Sequence, residues 1–100
     1  MSLEIVWSPL ALLRVKEIRS FVAMDKPEAA ERLAIRIVAA VEALRDYPNL
    51  GRRGSKRGTR ELVIGGTPYV IIYKVSGERI IILTVWHGAQ SKKKPPRSQP

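Results

Sequence analysis

The chain contains no cysteine, which excludes a disulfide framework, an all-thiolate metal site and a cysteine nucleophile, and suits a reducing cytoplasm. It has a single histidine, His87, too few for a multi-histidine zinc site. Neither a metal nor a cofactor is expected. No segment approaches the roughly 18 consecutive apolar residues that span a bilayer. The opening MSLEIVWSP lacks the basic start and longer apolar stretch of a signal peptide. A cytoplasmic protein is therefore expected. Acidic residues are also scarce: nine stand against eighteen lysines and arginines, for a net charge of +9.

That charge is unevenly spread. Residues 1–50 hold seven basic and seven acidic residues, whereas residues 51–100 hold eleven basic ones against only Glu61 and Glu78. A local field of one sign attracts polyanions such as nucleic acid, a ribosome, an acidic protein or anionic lipid. With 45% apolar residues, one hundred residues suffice for one domain with a thin core. Residues 1–90 are expected to form that domain. The tail 91–100, basic and proline-rich with no large apolar residue, is expected to be disordered.

Along the chain, Leu3 to Trp7 reads as a short strand. Ser8-Pro9 reads as a helix start, with Ser8 as the cap and Pro9 in the first turn. Ala11, Val15, Ile18 and Val22 then recur at helical spacing with Phe21 beside them, a core-facing stripe. Asp25 and Glu28 have capping-box spacing ahead of a second helix. Its apolar face is Ala30, Leu33, Ala34, Ile37, Val41 and Leu44, and it is expected to reach about Tyr47. Pro48 and Gly51 end this helical hairpin. GRRGSKRGTR over 51–60 reads as a basic loop too flexible and polar to pack. Three strands follow, Arg60–Ile64, Tyr69–Val75 and Arg79–Trp86, with turns at Gly65-Gly66 and Ser76-Gly77. YVIIYKV and IIILTV are nearly continuous apolar runs, as central strands are. The order β-α-α-β-β-β predicts an α+β fold, a helical hairpin on one face of a small, mostly antiparallel sheet of about four strands.

In this order and spacing, WSPLA, DKPEAAERL, YPNLGRRG, GTRELVI, PYVIIYKV and IIILTVWHGAQ resemble the ParE/RelE superfamily, the plasmid-stabilisation proteins. The resemblance runs from Val6 to Gln90. It implies a growth-inhibiting toxin held in a hetero-oligomer by a cognate antitoxin, whose segment folds onto apolar grooves of the toxin. It also implies one of two targets. RelE-like members cleave messenger RNA on the ribosome, and ParE-like members poison DNA gyrase.

Metal-free RNA cleavage needs a proton acceptor for the 2′-hydroxyl, a cation for the phosphorane and an acid for the leaving oxygen. Val70 stands where many active relatives carry an arginine. Glu61 and Val63 stand at the approximate positions of the lysines on the preceding strand in RelE-like toxins. SKKKPPRSQP contains no tyrosine. The residues left for catalysis are Arg60, Glu61, Tyr73, His87 and Gln90: Arg60 is a phosphate clamp or an ion-pair partner, and His87 an acid or base or else a strand-end histidine bonded to backbone. Glu61 is a base or simply solvated, and Tyr73 reads as core. Arg52, Arg53, Lys56 and Arg57 suit sequence-blind phosphate contact. Lys92, Lys93 and Lys94 extend the same field or form a solubilising tail. Leu12, Leu13 and Ile35 fall off the core stripes, either as incidental surface residues or as an antitoxin-binding patch. The expectation is a ParE-like gyrase poison. The alternatives are a RelE-like mRNA interferase using Arg60 and His87, and a non-toxic nucleic-acid-binding module.

Overall fold

The computed structural model describes residues 3–88. Ser8 starts the first helix as the sequence predicts: its hydroxyl oxygen accepts the Ala11 N–H at 3.0 Å, and Pro9 occupies the first helical turn. Around this cap run β1 (Glu4–Trp7) and α1 (Pro9–Ala23), followed by α2 (Pro27–Ala43), β2 (Arg52–Arg53), β3 (Arg60–Val63), β4 (Tyr69–Ser76) and β5 (Arg79–His87).

The sheet order is β1-β5-β4-β3-β2. Every neighbouring pair is antiparallel except β1 with β5. The α+β architecture is therefore as expected, and the two apolar runs are indeed inner strands. The strand count is five rather than about four, because Arg52 and Arg53 pair with Glu61 and Arg60. The segment read as a loose loop is thus a β-hairpin.

The core lies between the helical hairpin and one face of the sheet. Ala11 of α1 and Leu33, Ile37, Val41 and Leu44 of the α2 segment meet Ile71, Tyr73, Ile80, Ile82 and Val85 there. Each leucine, isoleucine or valine among them contributes about 1.5–3 kcal/mol on burial. Register alternation puts Val70, Ile72, Thr84 and Trp86 on the opposite face. Leu83 is skipped in the β4–β5 register, where Tyr73 pairs with Ile82 and Ile72 with Thr84. The carbonyl of this bulged residue accepts the Ser8 hydroxyl at 2.9 Å. One serine therefore caps α1 and satisfies the bulge.

Three local expectations are corrected. The cap of α2 is Lys26 with no side-chain bond, not Asp25, and the N–H groups of both residues close the end of α1 on the Val22 carbonyl. The second helix ends at Ala43, before Tyr47. Leu44 and Arg45 instead make tighter bonds to Val41 and Glu42, and Arg45 turns to donate to the Leu3 carbonyl at 3.1 Å. Phe21, set beside the core stripe, is 70% exposed.

Candidate functional site

The two faces of the β2–β3 hairpin differ in charge. Directly opposed residues of an antiparallel pair share a face, with Cβ atoms about 4.5–5.5 Å apart. On one face Arg52 opposes Glu61, and their side chains form an ion pair at 3.2 Å. On the other face Arg53 opposes Arg60, two cations side by side. Arg53, Lys56, Arg57 and Arg60, with Ser55 and Thr59, border an open depression of about 600 Å³. None of the described residues lining it is acidic. The four loop cations singled out from sequence therefore separate: Arg53, Lys56 and Arg57 gather around Arg60, while Arg52 belongs to the opposite face.

The depression rests on a built support. Gly54 donates its N–H to the Thr59 carbonyl at 2.8 Å, and the Thr59 hydroxyl donates to the Lys56 carbonyl at 2.6 Å. A Cβ on Gly54 would lie 2.4 Å from Thr59 Oγ1, so a side chain there would push the Thr59 hydroxyl off its bond to Lys56. Below it, the buried Tyr73 hydroxyl accepts the Gly51 N–H at 2.9 Å and donates to the Pro48 carbonyl at 2.8 Å. Arg60 donates to the Gly51 carbonyl at 2.7 Å. Burial pushes the Tyr73 phenol above its ordinary pKa, against smaller opposing effects of the Gly51 bond and the Arg60 charge. Tyr73 is core, as expected, and it also anchors the basic hairpin. The signal in the sequence was the Gly51-Arg-Arg-Gly54 spacing, whose glycines mark close backbone approach rather than slack.

The two catalytic candidates are not brought together. Arg60 pairs with Tyr73, and His87 pairs with Tyr69 on the far strand. Strand geometry puts their Cα atoms about 16 Å apart. The His87 ring stands edge-on to Tyr69, with centroids 5.4 Å apart and an interplanar angle of 82°. On the sheet face away from the helices, Val70 lies between Val63 of β3 and Trp86 of β5 in direct register. Val70 is buried and the other two are about half exposed, yet none belongs to the main core. Val70, where the family resemblance leads to the expectation of an arginine in a nuclease, is the centre of an apolar row. Glu61, on the same face, is held by Arg52.

On the helical hairpin Leu12, Leu13 and Ile35 are all exposed. The structure adds Leu10, one turn before Leu13, and Val38, one turn after Ile35. Sequence reading missed both, although their spacing of three residues from the flagged positions marks a shared helix face. Lys92, Lys93 and Lys94 lie outside the described residues. So does Gln90. Among the described residues no helix is long and apolar enough to cross a membrane, and no acidic, histidine or cysteine cluster could hold a metal ion.

A helical hairpin on a mixed five-stranded sheet, with a cationic β-hairpin at one edge, defines a small basic two-layer α+β protein. Residues 5–92 match the family model described as the ParE toxin of the type II toxin-antitoxin system parDE. The Sinorhizobium fredii protein Y4kP is 45% identical over 87 residues, covering 87% of this chain and 90% of that protein. Toxin RelE2 of Caulobacter vibrioides is 36% identical over 87 residues, covering 87% and 97%. The chain belongs to the ParE toxin family, within the ParE/RelE superfamily of type II toxin–antitoxin toxins. Two solved structures share its fold. A chain of the chromosomal ParDE system from P. aeruginosa superposes with a TM-score of 0.79 at 24% identity, covering 86% of this chain and 96% of that one. A chain of the RelBE2 toxin-antitoxin complex from Mycobacterium tuberculosis does so at 0.66 and 17%, covering 87% and 99%.

Proposed function

We propose that this toxin stops growth by binding DNA gyrase on DNA rather than by cutting RNA itself, and that a cognate antitoxin neutralises it. The observation carrying the first part is the Val63–Val70–Trp86 row. Cleavage of a phosphodiester needs a proton acceptor, a cation and an acid within reach of one phosphate. None of these three side chains can transfer a proton or carry charge, and the backbones of Arg60 and His87 lie about 16 Å apart on strands separated by β4. Binding and trapping a target requires no such constellation.

The antitoxin reading draws on the fold relatives, which are named as members of a ParDE system and a RelBE2 complex. It draws also on Leu12, Leu13 and Ile35, exposed apolar side chains on the two helices. An acidic antitoxin segment would associate quickly with a chain of charge +9. A RelE-like mRNA interferase is the second reading, supported by the name of the RelE2 relative.

Induced expression in bacteria with pulse labelling of DNA and protein synthesis separates these readings. Gyrase poisoning predicts that DNA synthesis falls first and that gyrase–DNA cleavage complexes accumulate. Translation arrest with messages cut at ribosomes would replace it with the interferase. Harmless expression would leave a nucleic-acid-binding module.

A further inference from the structure

The like-charge pair Arg53–Arg60 is unusual for a sheet, because cations directly opposite one another destabilise the pairing. The same hairpin shows the compensated alternative one residue away, where Arg52 faces Glu61 at 3.2 Å. Lys56 and Arg57 add to the uncompensated side, and the described lining of the depression contains no carboxylate. Arg60 is held in place by the Gly51 carbonyl, and that bond uses one of the five N–H donors of its guanidinium. The hairpin thus presents one anchored and three unbonded cations to one volume whose described lining holds no anion.

We propose that this depression is a binding site for the phosphodiester backbone of a nucleic acid. Guanidinium forks match phosphate oxygens in pairs, and the hydroxyl of Ser55 adds a neutral donor. Val75 is the one sizeable apolar side chain among the described lining residues, and no aromatic ring is there to stack a base. The site therefore holds backbone and does not read sequence. Its open side suits a strand running through more than an enclosed small anion. An acidic protein segment would gain little apolar anchoring there, whereas a nucleic-acid backbone requires none. Pre-anchoring of Arg60 lowers the ordering cost of binding. This deepens the toxin reading by naming what the basic hairpin touches, and it is measured without gyrase, so each can fail alone.

The test is fluorescence anisotropy of the full chain with a labelled duplex DNA, a single-stranded RNA and a glutamate-rich peptide, across a salt series. Arg53→Ala/Lys56→Ala/Arg57→Ala removes three pocket cations that make no side-chain bond within the described structure. Lys16→Ala/Arg32→Ala/Lys74→Ala removes the same charge from exposed positions elsewhere. The pocket variant is expected to lose at least about tenfold in nucleic-acid affinity near 0.1 M salt. Its salt slope should fall by about two to three, as expected for that many lost phosphate contacts. The control should lose less than about threefold. Arg60→Lys, which keeps the charge but not the fork, should fall between them. Tighter binding of duplex or of RNA identifies the source of the phosphate. Equal losses in both triple variants, or tight binding of the acidic peptide alone, would overturn the site. Undiminished binding of both DNA and RNA by the pocket variant would do so as well.

Discussion

The phenol oxygen of Tyr73 accepts the Gly51 N–H at 2.9 Å, and a Cβ built on Gly51 would lie only 2.8 Å from Cε1 of the same ring. Tyrosine and glycine therefore fit one another, and the basic hairpin begins at their contact. The hydroxyl also donates to Pro48, so both backbone groups that lead out of α2 into β2 depend on it.

Tyr73→Phe should remove both bonds while keeping the ring. Leaving a buried N–H and a carbonyl without their partner costs about 1–3 kcal/mol. Urea unfolding should show a lower midpoint with an unchanged slope. An unchanged midpoint would mean that solvent replaces the phenol and that the anchor stabilises nothing.

The same residue gives an alkaline limb. Burial raises the Tyr73 pKa in the folded chain above its ordinary value near 10. A group raised in this way contributes stability that is fully present below the unfolded pKa and is lost as pH rises through the folded one. Wild-type stability should therefore decline above about pH 10, and Tyr73→Phe should decline less steeply. Parallel pH profiles for the two proteins would show that Tyr73 ionises equally easily folded and unfolded.

Gly51→Ala tests the close approach from the other side. The added methyl would meet the Tyr73 ring at 2.8 Å and the Glu61 carbonyl oxygen at 2.9 Å, and neither neighbour is a free side-chain tip. Overpacking of this kind costs about 1–3 kcal/mol. Reduced thermal stability and weaker nucleic-acid binding should appear together, because the variant displaces the strand that carries Arg53. A fully stable Gly51→Ala would show that the α2–β2 connection yields easily.

The parts of this fold legible from sequence were those written in periodicity and caps. Ser8-Pro9 marked a helix start, and the apolar runs of β4 and β5 marked inner strands. The residues of α2 spaced three and four apart marked its buried face. What stayed hidden depends on long-range contact. Nothing local shows that Arg52 and Arg53 pair with a strand, since two arginines between glycines look like a loop until Tyr73 arrives beneath them. The separation of Arg52 from Arg53 follows only from the β2–β3 register. Asp25 had the spacing of a cap, but the turn closing α1 on Val22 runs through both Asp25 and Lys26, and α2 starts one residue later. The distance between Arg60 and His87 was likewise set by strand order, with β4 lying between their strands.

His87→Ala bears on the choice of target. In the gyrase reading the imidazole supports the strand end by packing edge-on against Tyr69, an arrangement worth about 0.5–1.5 kcal/mol. The variant should be slightly less stable yet still arrest DNA synthesis when induced. Loss of toxicity with native stability and intact antitoxin binding would make His87 a chemical participant and favour the interferase.

Leu12, Leu13 and Ile35 are exposed on the two helices, and substitutions at such positions usually change stability by less than about 0.5 kcal/mol. Replacing all three by glutamate removes apolar contact area and sets negative charge against an acidic partner. The triple variant should keep its fold and its growth inhibition, while co-expressed antitoxin no longer protects the cells. Titration against purified antitoxin should show at least about a hundredfold weaker binding, since loss of central apolar contacts and unfavourable charge act together at an interface. Full neutralisation of the variant would move the antitoxin surface away from the helical hairpin. Loss of growth inhibition with the fold intact would instead make this face part of the contact with the target, so that antitoxin and target compete for the same helices.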